Sequence, residues 1–162
     1  MMQTDVLSYH NTVTGVAVPY RTRLKGFVIS PSTSSTYNVS FCDNNPLSAT
    51  YDIPGTTVCT VTLANHGLTA GVSRVVLDFT SGSGVDNTYL VQTTPTANTF
   101  TVTTGVLTTS GNVTVYDDLL SEVDVSTGTS FYTLIPGEGV VAQNGIYVFI
   151  PSATVTTTIF YG

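Results

Sequence analysis

Hydrophobic and polar residues alternate with a period of two along much of this chain, in short runs separated by Gly, Pro, Asn and Ser. Val58-Cys59-Thr60-Val61-Thr62-Leu63 is one such run, and the turn-rich Ala64-Asn65-His66-Gly67-Leu68-Thr69-Ala70-Gly71 follows it. Val75-Val76-Leu77-Asp78-Phe79 then stops at Ser81-Gly82-Ser83-Gly84, and Tyr89-Leu90-Val91 leads to a turn at Pro95-Thr96-Ala97-Asn98. Phe100-Thr101-Val102-Thr103 comes next, and Gly111-Asn112 introduces Val113-Thr114-Val115-Tyr116. Alternation at this period places successive side chains on opposite faces of a strand. The middle of the chain therefore predicts about five short strands, each with one wet and one buried face.

The flanks carry the same period with different punctuation. Arg21-Thr22-Arg23-Leu24-Lys25-Gly26-Phe27-Val28-Ile29-Ser30 predicts a strand with a bulge at Gly26. Tyr37 to Cys42 predicts the next. Towards the other end, Val123 and Val125 alternate with Glu122 and Asp124, and Phe131 to Ile135 precedes Pro136-Gly137-Glu138-Gly139. The turn Asn144-Gly145 leads into Ile146 to Ile150, and Val155 to Tyr161 follows. Neither flank has enough strands to close a sheet alone. The expected fold is all-β: residues 1–55 and 117–162 form one discontinuous, jelly-roll-like β-sandwich. Residues 56–116 are an inserted small five-stranded β-barrel or sandwich module, placed at a loop tip where added chain costs little closure entropy. No window carries a helical period.

Composition agrees with strands and removes several functions. Thr (31) and Val (23) make up a third of the 162 residues, and both β-branched types fit a pleated sheet better than a helix. Only 9% of the residues are charged, against about 25% in an ordinary soluble domain. The wet strand faces are threonine rather than charge. Four basic residues against ten acidic ones give a net charge of −6, the opposite of what phosphate neutralisation needs, so no nucleic acid partner is expected. No stretch approaches the ~18 apolar residues of a spanning helix and no basic amphipathic helix is present, so no membrane partner is expected. Met1-Met2-Gln3-Thr4-Asp5-Val6 lacks the basic and apolar regions of a secretory signal, which predicts synthesis and folding in a cytoplasm.

Candidate chemistry is sparse. Cys42 and Cys59, with His10 and His66, complete no metal-ligand spacing, so no metal or cofactor is expected. The two thiols read as small reduced hydrophobes, with a disulfide as the alternative. His66, with Ser73 and Asp78 downstream, permits a nucleophile–base arrangement, but no Gly-x-Ser-x-Gly elbow accompanies it. The plainer reading is a turn histidine bonding its own loop, and no catalytic residue is assigned. The acidic clusters, Asp43-Asn44-Asn45 and Asp117-Asp118 with Glu122 and Asp124, match no calcium loop. The basic residues are more localised. Arg21, Arg23 and Lys25 are three of the four, spaced to share one face of one strand unless the bulge intervenes. They read either as a solvated, edge-protecting stripe or as a seam against an acidic partner such as a neighbouring subunit. Nine Tyr and seven Phe without Trp lean against a typical sugar-binding platform, although Tyr also stacks on sugars.

The segments Asn65 to Gly71, Val76 to Gly82, Asp86 to Val91 and Asn98 to Val102 resemble a small β-module common in structural proteins of tailed bacteriophages. The stretch Ile135-Pro136-Gly137-Glu138-Gly139-Val140 through Asn144-Gly145-Ile146-Tyr147-Val148, with Ile159-Phe160-Tyr161-Gly162, is similar to short virion proteins of marine and cyanobacterial phages. These segments carry no catalytic residues. The resemblance implies a virion component. Shortness and the lack of repeats or heptads favour a small capsid decoration (cement) protein over a tail fibre. The partners implied are the major capsid protein and copies of the chain itself, as a homotrimer. The alternative is a tail or head-fibre tip that attaches to host surface glycan. A hydrolase using His66 and Asp78 and a secreted carbohydrate-binding module are the readings outside the virion.

Overall fold

The alternation of Thr with Val, Ile and Phe is realised as strand throughout. A computed structural model describes residues 6–33, 35–126 and 129–162. Among these there is no helix, and the strands are all antiparallel in their pairings. In chain order they are β1 (Leu7–Asn11), β2 (Gly15–Val18), β3 (Thr22–Pro31), β4 (Tyr37–Asp43), β5 (Leu47–Thr62), β6 (Arg74–Phe79) and β7 (Asn87–Leu90). There follow β8 (Thr93–Thr96), β9 (Thr99–Tyr116), β10 (Leu119–Val125), β11 (Phe131–Leu134), β12 (Val140–Ala142), β13 (Ile146–Phe149) and β14 (Val155–Tyr161).

The chain divides into two compact units, Met1–Asn45 with Leu119–Gly162, and Pro46–Asp118. The first holds two sheets. One has the order β1-β14-β3-β11, with β12 also paired to β3, and the other has the order β10-β4-β13-β2. Their inward side chains, among them Leu24, Phe27, Ile29, Val39, Phe41 and Ile159, form one apolar cluster. Phe27 of one sheet stacks on Phe41 of the other, ring centroids 4.4 Å apart and planes 25° from parallel. Both rings are buried, and each fully buried side chain of this size contributes about 1.5–3 kcal/mol.

The second unit is one five-stranded sheet, β5-β9-β6-β7, with β8 on β9. Its core gathers Ala49, Tyr51, Ile53, Cys59, Val61, Phe100, Val102, Val113 and Val115, drawn from both ends of the long β5–β9 ribbon. It begins at Pro46 rather than at the expected residue 56, because β5 runs unbroken from Leu47 to Thr62. Pro54 and Gly55 look like a strand end in sequence, yet the ladder absorbs them as register shifts, with Gly55 at φ +75°. In the same way β9 runs through the two segments expected as separate strands.

The bulge expected at Gly26 is present. Phe160 of β14 pairs with Gly26 and Tyr161 pairs with Leu24, so Lys25 is the extra residue. A Cβ at Gly26 would lie 2.7 Å from the Thr133 carbonyl oxygen of the neighbouring strand, which is why the position carries no side chain.

Asn144-Gly145 does not close a hairpin. It carries the chain from β12 in one sheet to β13 in the other. The crossing is fastened by Asp43, a buried carboxylate that accepts hydrogen bonds from the Asn144 backbone N–H (2.9 Å) and side-chain amide (2.6 Å). The Asn44 N–H donates to the Gly145 carbonyl at 2.9 Å. Gly145 sits at φ +112°, and a Cβ there would run into the Val18 carbonyl oxygen. Replacing Gly145 by Val should cost about 3 kcal/mol or more, the sum of backbone strain and a displaced β2. Denaturant midpoints of the two proteins measure it, and an unchanged midpoint would contradict the crossing geometry.

Candidate binding site

The bulge decides where the basic stripe points. Leu24 is inward and fully buried, so Arg23 and Lys25 on either side of it face outward and are half-buried. The bulge at Lys25–Gly26 leaves Lys25 on the same outward side as Arg23. Arg21 is exposed and precedes β3. The sheet ends here, with Leu7 of β1 opposite Tyr161 of β14 and Tyr161 opposite Leu24 of β3. Around this end lies a groove of about 570 Å³ lined by Leu7, Tyr20, Arg21, Thr22, Arg23, Lys25, Glu138, Tyr161 and Gly162.

The cationic side chains are held in different ways. Arg21 Nε donates to Gln143 Oε1 at 2.9 Å, and Arg23 makes a long bond of 3.4 Å to the Gly139 carbonyl. Among the described residues no ion pair joins the three to a carboxylate. Glu138 reaches the groove from the turn after β11, whose glycines 137 and 139 have φ +71° and +78°. A Cβ at Gly139 would strike the Leu24 carbonyl oxygen, so this turn lies directly on the β3 backbone. The neighbouring Tyr20 phenol pushes the Tyr161 pKa up, with burial adding to it. The sequence alone placed the three cations together. It gave no sign of Tyr161 or Glu138, which arrive through pairing and a turn from the far end of the chain.

Beyond the bulge the outward face of the same sheet changes character. Phe160 and Leu134 flank Gly26, and Tyr132 stands opposite Val28. Tyr132 and Leu134 are 58% and 60% exposed, too much for core residues, and the Tyr132 and Phe160 rings meet edge to face with centroids 6.5 Å apart. Thr156, Thr158 and Ser30 also lie on this face, with Ser8 and His10 of β1 beside them, and His10 Nδ1 is 2.9 Å from the Thr158 hydroxyl.

The other candidates are committed to structure. His66 is buried, with Nε2 at 3.1 and 3.2 Å from the carbonyls of Thr96 and Thr99, and Nδ1 accepting from the Leu68 N–H at 3.0 Å. These partners fix the tautomer with the proton on Nε2 and leave neither ring nitrogen to act as a base. Its ring edge also meets Phe100, 5.4 Å between centroids. Cys42 and Cys59 are buried thiols that form no disulfide, one in each unit. Burial, with Asp52 nearby, pushes the Cys59 pKa up to about 11, so it is a protonated core residue at neutral pH. Burial also raises the pKa of Asp117. Among the described residues no three His, Cys, Asp or Glu side chains gather closely enough to hold a metal ion. A hydroxyl cluster that sequence reasoning missed joins Tyr37, Thr33, Thr154 and Ser152. Hydrogen bonds from Thr154, then Thr33 and Ser35, bring the Tyr37 pKa down to about 8.

No family model, curated protein or solved structure matches the chain.

Two outcomes follow from these bonds. Replacing His66 by Ala strands two carbonyls and one amide, and should lower stability by about 2–4 kcal/mol in denaturant titration; an unaltered midpoint would contradict the bonding. Tyr37 in the folded protein should ionise near pH 8 by its tyrosinate absorbance, whereas an unfolded tyrosine ionises near ~10. Between those values the unfolded chain binds the extra proton, so this group makes stability rise with pH there. Thr154→Val should move the titration upward and flatten that rise.

Proposed function

We propose that this protein is a non-enzymatic structural component of a phage virion, which packs on the outside of the capsid shell and stabilises it as a homotrimeric decoration protein. The observation that carries this reading is the outward face of the first sheet. Val28, Leu134, Tyr132 and Phe160 form an apolar surface on a rigid sheet, and Arg23 and Lys25 follow on the same strand. An aromatic centre with a charged margin is the usual anatomy of a protein–protein interface. The 9% charge content supports it further. Threonine-rich surface can be buried between subunits without the desolvation cost that unpaired charges carry. The virion context comes from the resemblance of the 65–102 and 135–162 segments to phage structural proteins.

The mechanism is mass action. A protein that binds the assembled shell and not its open precursor shifts the balance toward the closed particle by its binding free energy. Its major partner is then the capsid protein, and its secondary partner is its own copy.

Co-sedimentation with purified capsid shells tests this reading. The unaltered protein should pellet with shells and run as a trimer in solution. Tyr132→Ser with Leu134→Ser, both exposed and dispensable to the core, should weaken shell binding by about tenfold or more. A strictly monomeric protein that stays in the supernatant would sink the proposal.

A further inference from the structure

We propose that the groove at the end of the first sheet is a binding site for a carboxylated saccharide, a chain of hexuronic acid units. The proposal stands on the groove alone and does not require the capsid reading.

The first argument is charge. The protein carries ten acidic and four basic residues, yet three of the four basic residues line one groove. No carboxylate pairs with them among the described residues, so the groove is a positive site on an acidic molecule. Such a local inversion of sign attracts an anion from solution and repels most of the protein's own surface. Each guanidinium carries five N–H donors in a planar fork suited to a carboxylate. Arg21 is fixed through Nε by Gln143 and Arg23 leans on the Gly139 carbonyl. Their remaining donors are therefore held near one position instead of swinging freely.

The second argument concerns what else lines the groove. Tyr20, 53% exposed, lines the groove beside Leu7, whereas Tyr161 pairs with the inward Leu24, packs against the core and reaches the groove only at its edge. The Tyr20 ring and the Leu7 side chain give the apolar face of a pyranose a surface to lie against, with a hydroxyl at the margin. Glu138 stands among the cations without pairing to any of them. In a groove for phosphate or an acidic peptide this carboxylate would only repel the ligand. For a sugar acid it accepts hydrogen bonds from ring hydroxyls while the guanidinium groups take the carboxylate. The combination of cations, phenols and one acceptor carboxylate selects a ligand that is both anionic and rich in hydroxyl donors. A groove of about 570 Å³ falls within the range of small-ligand sites and admits about two sugar rings. Its lining holds one carboxylic acid side chain, Glu138, whereas glycoside hydrolysis requires a flanking pair. The site binds and does not cleave.

Calorimetric titration with a galacturonic acid trisaccharide tests the proposal, with the neutral galactose trisaccharide, polyglutamate and inorganic phosphate as comparisons. The uronate should bind, and the neutral sugar and phosphate should bind at least tenfold more weakly. Arg23→Gln should reduce uronate affinity tenfold or more, and Tyr20→Ala should reduce it without changing the melting temperature. Glu138→Gln gives the decisive contrast: it should weaken uronate binding while strengthening that of polyglutamate. Tyr132→Ser with Leu134→Ser should leave uronate affinity unchanged, so a failure of shell binding and a failure of the groove are separately visible. The proposal is overturned if the uronate does not bind, if polyglutamate binds the unaltered protein equally well, or if uronate affinity is indifferent to Arg23→Gln.

Discussion

A single extra residue in β3 reconciles a core with a charged stripe. Arg23 and Lys25 have the same parity along the chain as Phe27 and Ile29, which are buried. In a regular strand all four would face one way. Either two cations would enter the core, at a desolvation cost of several kcal/mol each, or two large apolar side chains would leave it. The bulge at Lys25–Gly26 removes the conflict by shifting the phase, so that Leu24 and Phe27 both point inward. The Phe27–Phe41 stack between the sheets, the outward cations and the apolar face beyond them all depend on that shift. Gly26 makes it sterically feasible, because Leu134 and the Thr133 carbonyl occupy the space where a side chain would begin.

The insertion obeys a similar economy. The chain leaves the first unit at the end of β4 and returns on β10, and these strands are antiparallel neighbours, with Leu119 opposite Cys42. The two ends of the inserted unit are thus closed by the host sheet itself, and the entropy of joining distant segments is offset by a ladder. Asp43, the last residue of β4, also fastens the Asn144–Gly145 crossing between sheets. The inserted unit solves its own phase problem. Between Pro54 and Val58 β5 advances four steps while β9 advances five, from Thr108 to Thr103. Odd residues stay inward along β5, and β9 switches from Phe100 and Val102 to Val113 and Val115. Without that offset one end of the ribbon would turn its apolar face to water.

Much of this was legible because a period of two is a local property. The runs at 22–30 and 155–161 are strands for the reason their alternation implies, 75–79 and 146–149 are short apolar runs bounded by turn residues, and the Gly26 bulge could be inferred from a glycine between two phases. The stripe at Arg21, Arg23 and Lys25 was equally visible, being consecutive in sequence. What escaped was set by partners distant in the chain. β8, with Pro95 inside it, reads as a turn, and it becomes a strand only because β9 offers it a ladder at Thr99 and Thr101. The continuity of β5 through Pro54-Gly55 depends on β9 accepting the register shifts. The groove is the clearest case. Its cations lie on β3 or directly before it, while Tyr161 and Glu138 come from residues more than a hundred positions away and are brought there by register and by a turn.

The scarcity of charge acquires a physical sense from this arrangement. A face wetted by threonine can be covered without stranding ions, and a hydroxyl costs less to desolvate than a charge. Wetting by threonine also leaves few charges to screen or neutralise those that remain. Concentrating three cations where, among the described residues, no carboxylate pairs with them therefore creates a local field that a more ordinary surface, with both signs interspersed, would cancel. That field sits at one end of β3, and the apolar face at the other end is paired through the same ladder. The two surfaces make opposite demands, since one gains from a charged ligand and the other from excluding water. They coexist on ten residues because the bulge lets each segment of the strand present its own face without disturbing the core beneath.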